Sequence, residues 1–236
     1  MVVPGSGSSA FARDTLRQCS LFRHVGEATL DLVASSLRVR RHRKNEVIFH
    51  QGDPGDSLYI IESGAVKIVL PSREGEEAII ATLRRGDFFG ELALLDGAAH
   101  SATATAVEPV QLLVLSRDPF LRLVDTERDL RTALLASLAQ ELRRLTRHVE
   151  ELHFLDLAGR LAARLARLAR DAQPEGGAEV RLDWPYTQSD LAGMIGGTRQ
   201  SVNRLLSDLV DEGLIRFEED TIVITDLERL ERSAER

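Results

Sequence analysis

Six aliphatic side chains, Leu135, Leu138, Leu142, Leu145, Val149 and Leu152, follow one another at alternating steps of three and four residues. That spacing is the heptad seam of an α-helix lying against another helix. Arg143, Arg144, Arg147 and Glu150 surround the stripe, so the rest of the cylinder faces water. The seam persists for about three heptads, which favours a second copy of the chain as its cover, with packing against its own domain as the alternative. Whatever fold the chain adopts must therefore hold a long helix from about residue 117 to 156 with an apolar edge turned outward.

The period of the pattern is different before that helix. Leu16, Leu21, Leu30, Val33 and Leu37 suit short helices, but from 38 to 115 the runs Glu46–Phe49, Leu58–Ile61, Ala65–Leu70, Ala78–Leu83 and Val110–Leu115 are short, β-branched and separated by Gly, Pro and Asp turns. Short strands at such spacing predict a β-roll or barrel over residues 11–116 with its leading helices. The Gly/Ser-rich residues 1–10 read as a flexible tail. After Asp156, Leu157, Leu161, Leu165 and Leu168 share one face of a second amphipathic helix, while Arg160, Arg164 and Arg167 form a stripe read as solvated. The string QPEGGAE, residues 173–179, reads as a loop. A small unit completes a final domain over 157–236, and the fold class is α+β.

Charge narrows the function. Asp and Glu number 37 against 30 Lys and Arg, a net charge of −7, so any nucleic-acid site must be local. Only Lys44 and Lys67 are lysines. The single cysteine, Cys19, excludes an internal disulfide framework, a four-cysteine iron–sulfur cluster and a cysteine-rich zinc site. No metal site is expected. The opening string MVVPGSGSSAFARD lacks a basic segment followed by an apolar one, and no apolar run approaches the roughly 18 residues of a membrane helix. A cytoplasmic protein without a membrane partner is the expectation.

The last domain carries the sharper constellation. Thr187 stands three residues before Asp190 and ahead of Leu191, Met194 and Ile195, a capping box opening a short helix. Gly196 and Gly197 end it, and Thr198 caps a second helix. There Val202, Leu205, Leu206 and Leu209 form the inner face, while Arg199, Gln200, Asn203, Arg204 and Ser207 point away. Helix, glycine turn, helix is an arrangement that reads DNA. Arginine can fork guanine O6 and N7, Gln can pair with adenine N6 and N7, and a helix N-terminus offers amides to phosphate. Thr198, Arg199, Gln200, Ser201 and Arg204 are accordingly the DNA-contact candidates. Leu214–Phe217 and Thr221–Ile224 bracket Glu218, Glu219 and Asp220 as a hairpin wing. From Val180 to the end, 7 Arg face 12 Asp and Glu, so an ordinary small domain, or an interaction protein without DNA binding, is the competing reading.

Two glycine-rich strings lie in the roll, GDPGDSLYIIESG (52–64) and GDFFGELALLDGAAHSATA (86–104). In the second, Gly90 and Glu91 precede a short helix-forming run, Leu92–Leu95, whose free amides suit an anion. The GDPGD and GDFFGE strings, the helix ending in HFLDLAGRLA and the GGTRQSVNRLLSDL helix stand in the order and spacing of the cyclic-AMP receptor protein and FNR family of bacterial transcription regulators. The chain resembles that family over nearly its whole length.

The resemblance implies a cyclic-nucleotide-binding roll, a dimerisation helix bearing the seam and a winged helix-turn-helix. It also implies a homodimer that reads a palindromic site on double-stranded DNA, with half-sites about 34 Å apart, and contact with RNA polymerase. Cyclic AMP or another cyclic nucleotide is the implied effector, and Gly90, Glu91, Leu92, His100, Ser101 and Thr146 are the implied pocket. In family members that bind cyclic AMP, the residue matching Glu91 accepts a ribose hydroxyl, and an Arg followed by Ser or Ala holds the phosphate. Here that Arg is His100, shorter and mostly neutral near pH 7. Leu145 and Thr146 stand where such members place a Thr and Ser pair. Losing the Arg contact removes about 1.5 to 3 kcal/mol, which weakens a site about tenfold to a hundredfold. A member independent of effector, or one sensing haem or another ligand, is therefore the alternative. In the recognition helix, Gln200 replaces the Glu of the cyclic-AMP receptor, which shifts preference at that base from cytosine toward adenine. No GxSxG, GxxxxGK[ST] or HExxH string supports an enzyme.

Overall fold

The computed structural model describes residues 6–72, 77–173, 179–183, 187–219 and 221–234. Two compact units emerge. One takes in the chain up to Pro71 together with Ile80–Leu142; the other takes in Ser72–Ile79 and the chain from Arg143.

The first unit opens with α1 (Ser6–Gln18) and α2 (Glu27–Ser36), followed by β1 (Arg38–His42), β2 (Val47–Phe49), β3 (Ser57–Ser63), β4 (Val66–Pro71), β5 (Glu77–Leu83) and β6 (Phe88–Phe89). Next come α3 (Glu91–Asp96), β7 (Thr103–Ala106), β8 (Val110–Ser116), α4 (Arg117–Thr126) and α5 (Arg128–Phe154), the last of which belongs to the second unit from Arg143 on. The strands form two four-stranded sheets, ordered β1-β8-β3-β6 and β2-β7-β4-β5. Strand β3 is buried on both faces, which is why its sequence is a continuous apolar run rather than an alternation. Tyr59 and Ile61 turn into the roll with Phe89, Leu112 and Val114. Leu58 and Ile60 turn the other way and meet Leu16, Phe22, Leu30, Phe120, Leu130 and Leu134 of the helices. Each face of this one sheet thus closes a separate core.

Two expectations change here. Residues 6–10 belong to α1 instead of a tail; once Ala12 and Leu16 are buried, adding residues to the same helix costs little. Residues 1–5 of that tail lie outside the described residues. The helix expected over 117–156 is two helices, α4 and α5, broken at Glu127 with φ −99° and ψ 103°. Thr29 Oγ1 donates to Glu127 Oε1 at 3.1 Å, so a contact from α2 holds the break.

The second unit contains α6 (Leu157–Ala172), β9 (Val180–Asp183), α7 (Gln188–Ile195), α8 (Arg199–Asp211), β10 (Ile215–Glu218), β11 (Thr221–Ile224) and α9 (Leu227–Ala234). Asp156 caps α6 by accepting from the Gly159 N–H at 2.7 Å. Leu161, Leu165 and Ala169 are buried in α6, as are Leu230 and Ala234 in α9. The arginine stripe of α6 is half-buried rather than solvated, and Arg167 within it pairs with Glu151. The wing strands form the expected hairpin, but β9 adds a third strand, giving the order β10-β11-β9. Most of the loop expected at 173–179 lies outside the described residues.

Among the described residues, no helix is long and apolar enough to cross a membrane. Nor is any group of three or more His, Cys, Asp or Glu side chains placed to hold a metal.

Candidate functional site

The helix-turn-helix is set by local chemistry. Thr187 N–H donates to Asp190 Oδ2 at 2.8 Å, and Asp190 N–H donates back to Thr187 Oγ1 at 3.1 Å, closing the capping box that starts α7. Leu191, Ala192, Met194 and Ile195 are buried. The helix stops at Gly196 with φ 68°, a left-handed turn that glycine makes without a Cβ penalty. Thr198 then opens α8, its Oγ1 accepting from the Ser201 N–H at 3.2 Å.

Val202 and Leu206 anchor α8 in the core, and Leu205 and Leu209 are half-buried beside them. Thr198, Arg199, Gln200, Asn203, Arg204 and Ser207 are exposed, while Ser201 is half-buried. The structure therefore places the DNA-contact candidates in the first half of one capped helix, all but Ser201 exposed. Among the described residues, neither Arg199 nor Arg204 has an ion-pair partner.

The wing is different. Arg216 forks Glu179 at 2.7 and 2.9 Å and donates through Nε to Glu218 at 2.8 Å. Arg181 of β9 pairs with Glu218 at 2.8 Å. Glu179 and Glu218 are held below the usual carboxylate range, chiefly by the Arg216 hydrogen bonds. Glu219 at the tip takes φ 50°, and Asp220 lies outside the described residues. Neither β9 nor its arginine was foreseen, since a four-residue strand beside a glycine-rich loop carries little periodicity.

The seam residues of α5 are outward in the single chain: Leu135, Leu142, Leu145, Val149 and Leu152 are all exposed. Leu138 departs from them and packs against the core of the first unit.

The candidate pocket residues divide. Gly90, with φ 88°, leads into α3; a Cβ there would stand 2.9 Å from the Ser57 carbonyl oxygen and 3.0 Å from the Tyr59 ring, so only glycine allows this approach. Glu91 is half-buried, and Leu92 and Ser101 are exposed. Burial raises the Glu91 carboxyl above its ordinary range, with the charge of Glu141 adding to the effect. Thr146 is exposed on the part of α5 that belongs to the second unit.

His100 does not line an open cradle. It is 6% exposed, and its ring stacks on Phe49 with centroids 3.6 Å apart and planes 6° apart. Its N–H donates to Asp53 O at 2.9 Å, and its carbonyl accepts from the Gly52 N–H at 2.9 Å. Gly55 lies between α3 and this ring: a Cβ on it would fall 2.2 Å from Ala93 Cβ and 3.2 Å from His100 Cε1. Burial lowers the His100 pKa, against the opposing pull of Asp53 and Asp56. Phe49 and Gly55 were missed in the sequence because only tertiary structure brings them to His100. Cys19 is fully buried, and burial pushes its thiol up to about 12.

Comparison with known proteins agrees with both halves. A model of the cyclic nucleotide-binding domain matches residues 39–127, and one of the Crp-like helix-turn-helix domain matches residues 159–233. The CRP-like cAMP-activated global transcriptional regulator of Mycobacterium tuberculosis is 31% identical over 94% of this chain and 99% of its own. The cyclic AMP receptor protein of Thermus thermophilus is 32% identical over 91% and 96%. Among solved structures, a CRP/FNR-family transcriptional regulator of Thermus thermophilus is 30% identical with a TM-score of 0.68, covering 84% of this chain and 99% of its own. FixK2 of Bradyrhizobium japonicum is 25% identical with a TM-score of 0.74, covering 83% and 96%. The two domains define a transcription regulator that joins a cyclic nucleotide-binding domain to a DNA-binding helix-turn-helix. Within that class the chain belongs to the Crp/Fnr family.

At the position matched to the family's phosphate-holding arginine, a buried imidazole lies flat on Phe49.

Proposed function

We propose that the chain acts as a homodimer, joined along the α5 seam, that sets its two α8 helices into successive major grooves of a two-fold-related DNA site. The observation that carries this is the pair of arginines, Arg199 and Arg204, held outward at the start of a capped helix with no carboxylate to neutralise them among the described residues. Arg199 and Arg204 fork guanine, and Gln200 pairs with adenine. Thr198 and Ser201 sit with the helix N-terminus at a phosphate. The exposed aliphatic edge of α5 supports the dimer, because a stripe of that size is otherwise left in water. Two copies related by a two-fold axis read half-sites about 34 Å apart. RNA polymerase is the further partner of such a DNA-bound dimer, and the cytoplasm is its place of work.

The test is selection of duplexes from a random pool, followed by fluorescence anisotropy on the selected site. The chain should enrich a palindrome and bind it in a salt-dependent way. Arg199→Ala should weaken binding by about 1 to 3 kcal/mol and relax the preference at one base. Failure to enrich any duplex, or unchanged affinity in the variant, would overturn the assignment and favour the reading as an interaction protein.

A further inference from the structure

We infer that His100 is a specificity-determining residue that closes this roll to the phosphate of a cyclic nucleotide. The regulator therefore binds its DNA without waiting for such a ligand; this second half rests on the DNA-binding reading above.

The geometry argues first. A cyclic nucleotide presents a phosphodiester with one negative charge, and taking that charge out of water needs a cation or a full set of donors. The side chain at the relevant position is instead used for packing. Its ring covers Phe49 at 3.6 Å, and its backbone is tied on both sides, to Asp53 and to Gly52. Turning the ring toward a ligand would strip Phe49 of this contact and expose a side chain that is now 6% exposed. Gly55 stands so close to both Ala93 and the ring that a Cβ on it would fall 2.2 Å from Ala93 Cβ and 3.2 Å from His100 Cε1, which crowds the ring from that side.

The charges argue the same way. The groups whose charge is felt at His100 are Asp53 and Asp56, both carboxylates. Arg117 brings a guanidinium beside α3, but it is committed at the far end of the helix, where Nη1 donates to the Ala93 carbonyl at 3.2 Å. An anion entering this pocket meets carboxylates and an imidazole whose charged form burial disfavours. The six-residue α3 offers only a few amides against that field.

The experiment uses the full chain in two arms. Calorimetry with cyclic AMP and with cyclic GMP should show no saturable binding below about 1 mM, the range of the weakest specific complexes. Anisotropy on the selected duplex should give the same DNA affinity, within about twofold, with or without either nucleotide. A micromolar nucleotide affinity, or DNA binding tightened tenfold or more by nucleotide, would overturn the inference while leaving the DNA-binding reading intact. Absence of DNA binding in every condition would overturn that reading, and calorimetry would still decide the pocket.

His100→Arg, which restores a planar cation, should bring nucleotide affinity at least about tenfold above that of the unmodified chain. Because the guanidinium must displace the stacked ring, the same substitution is also made with Phe49→Leu to open space. A folded variant from this pair that gains no affinity would overturn the role given to His100. If neither folds, calorimetry on the unmodified chain decides alone.

Discussion

Leu142→Asp tests the dimer seam with the least disturbance to folding. Leu142 is 67% exposed in the single chain, so its replacement should change the stability of an isolated chain by only about 0.5 kcal/mol, most of it the lower helix propensity of Asp. In the proposed dimer the exposed two-thirds is covered. Full burial of a leucine stabilises by about 1.5 to 3 kcal/mol, so covering Leu142 contributes about 1 to 2 kcal/mol per copy and about 2 to 4 kcal/mol per dimer. The dissociation constant of the dimer should rise about thirtyfold to several-hundredfold from lost burial alone. Two facing carboxylates add repulsion to that. Sedimentation velocity over a dilution series reads the constant, and circular dichroism melting of the dilute chain reads its fold. Leu134→Asp serves as the contrast, because Leu134 is 3% exposed within its own unit and its loss should unfold the monomer. A Leu142→Asp chain that dimerises as tightly as the original would refute the seam. So would one that melts as badly as the Leu134 variant.

Three further outcomes are expected. Thr198→Ala removes the cap of α8 and should cost about 1 kcal/mol of stability, with Thr198→Asn restoring it; equal melting of all three chains would show that the cap contributes nothing. His100 has its folded pKa below its unfolded one, so the folded state binds fewer protons. Its contribution is present above the ordinary value of about 6.5 and is lost as pH falls through the folded pKa. His100→Phe should therefore flatten the decline of urea stability between about pH 7 and pH 5, and an unchanged slope would contradict the burial argument. Cys19, with its thiol pushed up to about 12, should resist a disulfide reagent near pH 8 in the native chain and react at once in denaturant; rapid native labelling would place it at the surface.

What could be read in advance depended on how local the determining physics was. The capping box of Thr187 and Asp190, the Thr198 cap and the Gly196 turn are interactions among residues three or four apart, and each was visible as a string. Strands β3, β4, β5 and β8 were visible because they are long and β-branched. Strand β1, RVRRH, was not: it lies at a sheet edge and is largely exposed, so neither face needs apolar residues. Strand β7, TATA, is buried throughout, but its small side chains carry no strong β signal. The break at Glu127 was hidden because no Gly or Pro marks it; a hydroxyl from α2 holds it. At His100 the absence of an arginine was legible. The stack on Phe49 was not, since that neighbour comes from β2, far away in the sequence.

The paired arginines of the wing have a consequence for how the protein moves along a chromosome. Arg181 and Arg216 already hold Glu179 and Glu218, so the wing has little bound charge to exchange with phosphates. Non-specific affinity grows with the number of counterions a protein releases from the duplex. With its arginines already paired, the wing releases few counterions away from the operator. The wing should therefore do little to hold the protein on random DNA, leaving that grip to the contacts of α8.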